Sequence, residues 1–466
     1  MVCQATIAQL ASVLQVVPIA GTTANLQTVA TGITTDTRSL QPGEVFLALR
    51  GETFDGHQFV DAAIEKGAIA AIVDTKFDAT LALAHTQAFS LLPVPDTLSA
   101  YHAIAHWWRQ QFTRPVIAVT GSVGKTTTKE LIAAVLSTLG GSATPAQLLK
   151  SQANFNNEIG VPKTLLELSP EHQYAVVEMG MRGPGEIALL SQIASPDMAV
   201  ITNVGTAHIG RLGSEAAIAA AKCELLAAMP TNGVAILNHD NPLLRQTAPT
   251  VWSGKTITFG LTGGDLQGTL VQPDTLQIDG LSLPLPLPGQ HNALNYLAAL
   301  AVAKVLGLSW TPLTAGLTVA LPSGRAQRRQ LPNDVTILDE TYNAGLESML
   351  AALHLLAQTP GQRHIAVLGT MKELGDRSPE FHHRVGATVA QLRLDQLLVL
   401  ADPPEAEALQ SGAGPVPTEC FTAHADVTQR LQDLVKPGDR ILFKASRSVG
   451  LDQVVTQFCQ VYSGEA

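Results

Sequence analysis

Four cysteines in 466 residues, Cys3, Cys223, Cys420 and Cys459, form no CxxC pair, so neither a disulfide framework nor a zinc site is indicated. A reducing, cytoplasmic setting is the expectation. Positive charge is scarce too: 29 Lys and Arg stand against 39 Asp and Glu, a net charge of −10. That excludes broad adhesion to nucleic acid or to an anionic membrane, each of which needs a basic face. A few well-placed cations can still hold a small anionic ligand. No run approaches the ~20 apolar residues of a membrane span, so no stable membrane insertion is expected. The first charged side chain is Asp36, but residues 1–20 lack a basic start, and Gln4, Gln9, Ser12 and Gln15 interrupt the apolar run. Ile7, Leu10, Leu14 and Val17 fall at helical spacing instead, which reads as an amphipathic helix of a folded domain. There is no internal repeat and no low-complexity tail.

What is present suits about three domains of ~150 residues. Hydrophobic residues make up 46% and charged residues 15%, with 38 Gly and 27 Pro dispersed, a globular composition. Residues 1–92 alternate short strands (45–49, 68–73) with helical patterns such as 60–66 and close at Pro93 and Pro95, predicting a small α/β domain. From 93 to 318 a helical run at 98–112 leads into an apolar strand at 115–120, a glycine turn and a long helical pattern at 126–139. Strands at 174–177, 199–202 and 234–237 then alternate with helices, as a buried parallel sheet requires. Residues 319–466 repeat the alternation, with strands at 335–338, 364–368, 396–400 and 440–443. The fold class is therefore α/β in three domains: a small N-terminal domain, a central P-loop-type parallel-sheet ATPase domain and a C-terminal Rossmann-like domain. The run 281–288 alternates Leu and Pro and belongs on a sheet edge or in a loop, because proline has no N–H for a central strand.

The strongest local signal is Gly121-Ser122-Val123-Gly124-Lys125-Thr126-Thr127, set between strand and helix. Glycines let backbone N–H groups approach phosphate oxygens, the lysine offsets β/γ charge, and a Thr hydroxyl can ligate Mg²⁺. The glycine usually found six residues before the lysine is replaced by Val119, so the loop is a GxxGKT variant. Glu178 closes one strand and His208 lies just beyond another, where ligands gather in an open parallel sheet. Mg²⁺ accepts oxygen and few protein ligands, so one carboxylate, a Thr hydroxyl and substrate phosphates make a fitting set. Taken alone, Glu178 reads equally as a solvated strand end, and His208 as a packed or capping histidine. Lys222 reads as an exposed helical lysine. Asn292 and Asn295 stand one helical turn apart and could meet a purine edge together, or Asn292 could cap its helix.

With these residues in place, the chain resembles the Mur ligases of peptidoglycan synthesis over all three domains. Thr35-Asp36-Thr37-Arg38 and Gly51-Glu52-Thr53-Phe54-Asp55-Gly56-His57 are similar to a uridine-nucleotide segment of the family. The segments 154–162, with Asn156 and Asn157, and 178–187 resemble the branch that adds D-alanyl-D-alanine. The resemblance implies a ligase that uses ATP to phosphorylate the carboxylate of a UDP-N-acetylmuramoyl-tripeptide. The amine of D-alanyl-D-alanine would then attack the acyl phosphate.

It implies further that Lys125 contacts the ATP phosphates, that Thr126, Glu178 and His208 hold two Mg²⁺ ions, and that Lys222 carries a carbamate supporting the second. Asn292 and Asn295 would approach adenine, Arg325 the γ-phosphate and Asp339 the ribose. Thr37, Arg38, Asp55, His57, Asn156 and Asn157 would serve the muramoyl substrate, and Lys444, Ser446 and Arg447 the acceptor. The sequence departs from the family pattern at Gly345-Leu346, where Asn-Pro is usual, and at Thr370, where Asp is common. The alternatives are the family member that adds the third residue to a muramoyl dipeptide and, from another class, a P-loop ATPase without ligase activity. A monomer is the expectation.

Overall fold

The computed structural model describes residues 3–78, 88–140, 147–272 and 274–463. Near the N-terminus, Thr6 and Gln9 form a capping box that starts the helix Ile7–Leu14, which buries Ile7, Leu10 and Ala11. The helix ends at Gln15, whose left-handed backbone (φ 56°) turns the chain away. Val17 consequently leaves the helical stripe its spacing predicts and is 84% exposed. A five-stranded sheet follows in the order Ile19–Ala20, Ser90–Val94, Ala70–Asp74, Val45–Leu47, Ile33–Thr34, parallel except for the first pair.

The central sheet has seven strands, all parallel, ordered Leu266–Gln267, Lys255–Gly260, Val234–Asn238, Met198–Ile201, Val116–Thr120, Tyr174–Glu178, Leu148–Lys150. Its middle strands are apolar throughout because helices cover both faces. The strand Val116–Thr120 sits where the order reverses: its successors pair outward on one side and then on the other. Val119 is in register with Glu178 on one flank and with Val200 on the other. The glycine loop, Glu178 and the approach to His208 thus leave the sheet together at its switch point. Over one face, Leu131, Ile132, Val135 and Leu136 of the helix Lys125–Leu139 share a core with Tyr296, Leu297 and Leu300 of the helix Gln290–Val305. Each such buried side chain contributes about 1.5–3 kcal/mol, so the loop at the helix start is anchored by its own helix.

The Leu/Pro run supplies Leu281–Pro284, an edge strand of a separate three-stranded antiparallel sheet. Edge placement tolerates the proline. The C-terminal sheet has six strands in the order Gln327–Leu331, Val335–Asp339, Asp439–Lys444, Arg363–Gly369, Gln396–Leu400, Thr418–Phe421, antiparallel only at the first pair. No helix among the described residues is long and apolar enough to cross a membrane.

Candidate active site

The loop after Val116–Thr120 is shaped by a close approach. Gly124, at φ 83°, precedes the helix Lys125–Leu139 as its N-cap, and a Cβ there would lie 2.6 Å from Asn295 Oδ1. Only glycine meets both demands. No side chain caps this helix start, so its first-turn amides remain for a ligand. The Val123 amide donates to Asn203 Oδ1 at 3.0 Å, and Ser122 Oγ accepts the Gly205 amide at 2.9 Å. Lys125 folds back to donate to the Gly121 and Ser122 carbonyls at 2.8 and 3.4 Å. Burial, and secondarily Arg325, hold its ammonium below the usual lysine range, while Glu178 acts the other way.

Thr126 Oγ1 donates to Glu178 Oε2 at 2.9 Å, and Asn156 Nδ2 donates to Glu178 Oε1 at 2.8 Å. Glu178 is 3% exposed, so the solvated strand end is excluded. A hydroxyl and a carboxylate this close form an oxygen donor pair that fits Mg²⁺, an ion that takes its remaining ligands from phosphates and water. His208 ends the next strand's loop with a left-handed backbone (φ 67°) and lines the same cavity. Burial lowers its pKa first, with Lys125 and Lys222 adding, against a raising influence from Glu373.

Lys222 is a correction. It is 1% exposed, on the helix Glu215–Ala228, where Ile218, Ala219, Ala221, Cys223, Leu225 and Leu226 are also buried. Only Glu215, Ala216, Ala220 and Ala227 of this helix are exposed, so Lys222 lies on its covered side. Among the described residues its ammonium has no hydrogen-bond or ion-pair partner, and burial followed by repulsion from Lys125 holds its pKa well below the lysine range.

Lys125, Thr126, Glu178 and His208 border a cavity of about 700 Å³, lined also by Asn154, Asn156, Asn157, Asn292, Asn295, Arg325 and Lys444, whereas Lys222 is not part of its lining. Asn292 Nδ2 donates to the Pro288 carbonyl at 2.8 Å and its Oδ1 accepts from Asn295 Nδ2 at 3.3 Å, while Asn295 Oδ1 accepts the Thr128 hydroxyl at 3.2 Å. The asparagines are thus linked to each other and to the phosphate-loop helix, and Gly289 holds the N-cap position. Arg325 stacks on the Tyr342 ring at 3.8 Å.

Other predicted residues are dispersed. Asp339 lies in a second cavity of about 390 Å³, with Arg325, Arg329 and Arg447, and not among the lining of the first. Its carboxylate is engaged by Arg329 Nη2 at 3.0 Å and Thr341 Oγ1 at 2.7 Å. Lys444, Ser446 and Arg447 part company: Lys444 reaches the first cavity and bonds the Asn343 carbonyl at 3.0 Å, buried Ser446 accepts the Lys372 amide at 2.9 Å, and Arg447 pairs with Asp452 at 2.9 Å beside the second cavity. Asn157 caps the turn at Gly160, its Oδ1 accepting that amide at 2.9 Å. In the N-terminal part, Arg38 pairs with Asp36 and is 89% exposed on its side chain, and the Thr37 carbonyl accepts from Lys66. Asp55 accepts from the His57 amide and faces its Nδ1 at 2.6 Å, while His57 Nε2 accepts the Asp74 amide.

Four residues to which the sequence reading gave no role are found at or near the site. Lys129, one turn beyond Lys125, is 1% exposed and donates to the Ser151 carbonyl at 2.7 Å, with Glu178 Oε2 3.9 Å away. His291 lines the first cavity with its pKa lowered to about 4 by burial and by Lys444. Glu347 accepts the Thr206 amide at 2.7 Å, and Glu373 meets His208. Spacing to Lys125 could have flagged Lys129; the others depend on how two sheets face each other.

Residues 29–104 match the Mur ligase family, catalytic domain; residues 119–303 the Mur ligase middle domain; and residues 324–447 the Mur ligase, glutamate ligase domain. The chain is 60% identical over 425 residues to the UDP-N-acetylmuramoyl-tripeptide--D-alanyl-D-alanine ligase of a Synechocystis strain, covering 91% of each chain. It is 38% identical over 441 residues to the enzyme of that name from Escherichia coli, covering 91% and 92%. A crystal structure of MurF from Acinetobacter baumannii superposes with a TM-score of 0.87 at 33% identity, covering 98% of this chain and 99% of that one. MurF ligase from Thermotoga maritima in complex with ADP gives 0.80 at 30% identity, covering 93% and 98%.

Proposed function

The chain belongs to the Mur ligase family, and we propose that within it the chain joins D-alanyl-D-alanine to UDP-N-acetylmuramoyl-tripeptide, consuming ATP. The observation that carries this reading is the convergence of Lys125, Thr126, Glu178, His208 and Arg325 on one cavity at the switch point of the central sheet. A carboxylate does not react with an amine at useful rates, because hydroxide is a poor leaving group. A tripeptide carboxylate oxygen attacks the γ-phosphorus of ATP, the bond to ADP breaks, and an acyl phosphate forms. The free amine of D-alanyl-D-alanine attacks the acyl carbon, phosphate leaves, and the amine gives up its proton. Lys125 leaves its carbonyl partners for phosphate oxygens, and Arg325, preset on Tyr342, offsets charge on the transferred group; such fixed charges dominate catalysis of this kind.

Thr126 with Glu178, and His208 with a carbamate on Lys222, are the residues that would hold Mg²⁺, which supplies charge neutralisation on the phosphoryl oxygens. Lys222 suits carbamylation because its depressed pKa favours the neutral amine, whose lone pair attacks CO₂ with loss of one proton. Asn292, Asn295 and the Tyr342 side of the cavity take the nucleotide. Residues 1–92, including Thr37, Arg38, Asp55 and His57, take the UDP-muramoyl substrate; residues 93–318 take ATP; and residues 319–466 close over it and bring the acceptor. The setting is the cytoplasm, where the nucleotide-linked precursor and ATP coexist. Excluding water by closure protects the acyl phosphate.

Crossing UDP-muramoyl dipeptide and tripeptide with free amino acids and D-alanyl-D-alanine tests the assignment. Phosphate release with the tripeptide and D-alanyl-D-alanine is expected. Turnover only with the dipeptide and a free amino acid would assign the chain to the third-residue branch, although the Asp-Asn-Pro-Arg run of that branch is absent from the sequence.

A further inference from the structure

Two non-glycine residues in the left-handed region meet across the boundary between the central and C-terminal sheets. His208 has φ 67° and Glu373, in the loop after Arg363–Gly369, has φ 64°. Such conformations persist where surroundings over-determine them, and they cluster at functional sites. Here the surroundings are largely each other. Glu373 Oε2 lies 2.5 Å from His208 Nδ1, the Glu373 carbonyl accepts the Gly210 amide at 3.1 Å, and Glu373 Oε1 sits 3.4 Å from Arg211 Nη2. Backbone packs on backbone beside them: a Cβ on Gly210 would lie 2.5 Å from the Gly375 nitrogen, and one on Gly375, at φ 57°, would lie 2.9 Å from Gly210 Cα.

Which imidazole nitrogen is held determines the proton and the orientation of the other. Glu373 approaches Nδ1 closely, but without a directed hydrogen bond, which leaves that buried nitrogen facing the carboxylate. We propose that Glu373 is a positioning residue: docked on His208 Nδ1 and on the Gly210 amide, it turns Nε2 toward the cavity, so that arrival of the C-terminal sheet completes the cation site of the central one. This inference rests on the ligase reading for the cation's purpose, whereas the docking belongs to the chain alone. It makes the cation site conditional on closure, so phosphoryl transfer would await the sheet that brings the acceptor.

Hydrogen exchange and calorimetry on the whole three-domain chain test it. In ligand-free protein, Glu373→Ala should speed amide hydrogen exchange across 205–212 while leaving the 121–128 loop unchanged. In calorimetry with ADP, the Mg²⁺ concentration for half-maximal binding should rise about tenfold or more in Glu373→Ala and Glu373→Gln, the range found when a metal-orienting partner is lost. Glu373→Asp should recover part of it, which a merely structural role would not produce. Glu373 is 39% exposed on its side chain, and the isosteric Glu373→Gln keeps the test valid if the alanine variant is unstable. Wild-type Mg²⁺ dependence in both Gln and Ala variants would overturn the proposal, and so would unchanged exchange across 205–212. If the wild-type chain makes no ligated product, the ligase reading fails, while exchange and Mg²⁺-dependent ADP binding still judge Glu373.

Discussion

The central and C-terminal sheets contribute to one cavity in opposite ways. On the central sheet, the groups leave adjoining strand ends and are tied by bonds internal to that sheet: Thr126 to Glu178, Glu178 to Asn156, Val123 to Asn203, Asn295 to Thr128. On the C-terminal side, Glu347 comes from the first turn of the helix Leu346–Gln358, Glu373 and Arg325 from loops and Lys444 from a strand end, and Glu347 and Glu373 hold the loop that carries His208 at Thr206 and at His208. One half is built by its own fold, and the other is complete only when a second sheet is docked. Lys125 therefore sits on the half whose geometry needs no docking, where misplacement costs most.

The comparison predicts graded losses. Lys125→Ala should fall furthest, by about 3–4 kcal/mol in kcat/KM, since Lys125 is the lysine whose ammonium lies on the glycine-loop carbonyls, where it can clamp a phosphate. Steady-state kinetics returning near-normal turnover would remove Lys125 from the phosphate role. Lys222→Ala should lose about a hundredfold or more, the size of losing a residue that orients a metal, and recover part of it with added acetate or formate. Absence of rescue, with an unmodified lysine by mass at saturating bicarbonate, would speak against the carbamate.

On the C-terminal half the losses should be smaller. Glu347→Gln weakens a charged hydrogen bond to the Thr206 amide, worth about 1–3 kcal/mol. ADP affinity should therefore drop up to about tenfold while the 121–128 loop keeps its hydrogen-exchange protection; a loss larger than that of Lys125→Ala would invert the comparison. The smallest effect is on pH. His291 is held near 4 by burial and Lys444, below the 6.5 of an unperturbed histidine. As pH falls from about 6.5 toward 4, the unfolded chain takes up this proton and the folded chain does not, so stability present above pH 6.5 is progressively lost. Denaturant titration should show less acid destabilisation in His291→Gln than in the wild type.

The half that was legible in the sequence is the half that is locally determined. A strand, a glycine loop and a helix are contiguous, and Glu178 and His208 mark strand ends, so order along the chain already implies proximity at a switch point. Lys222 was legible only through resemblance. Its alanine-rich helix offers no polar and apolar contrast, so spacing could not show the burial that depresses its pKa. Lys444, Ser446 and Arg447 read as one segment, yet the strand Asp439–Lys444 ends among them and the chain turns into a short helical turn at Arg447–Val449, sending three neighbours to three environments. Glu373 and Asp339 take their partners from interactions that adjacency cannot encode: a loop of another sheet in one case, and Arg329 on an antiparallel edge strand in the other.

Whether both halves serve an acyl phosphate is tested most directly by following one oxygen atom. UDP-muramoyl tripeptide carrying heavy oxygen in its terminal carboxylate is incubated with the chain, ATP, Mg²⁺ and D-alanyl-D-alanine, and the released phosphate is weighed by mass spectrometry. One heavy oxygen in each phosphate and stoichiometric pentapeptide are expected. Phosphate released without the label, at a rate indifferent to D-alanyl-D-alanine, would contradict an acyl phosphate and indicate a P-loop ATPase.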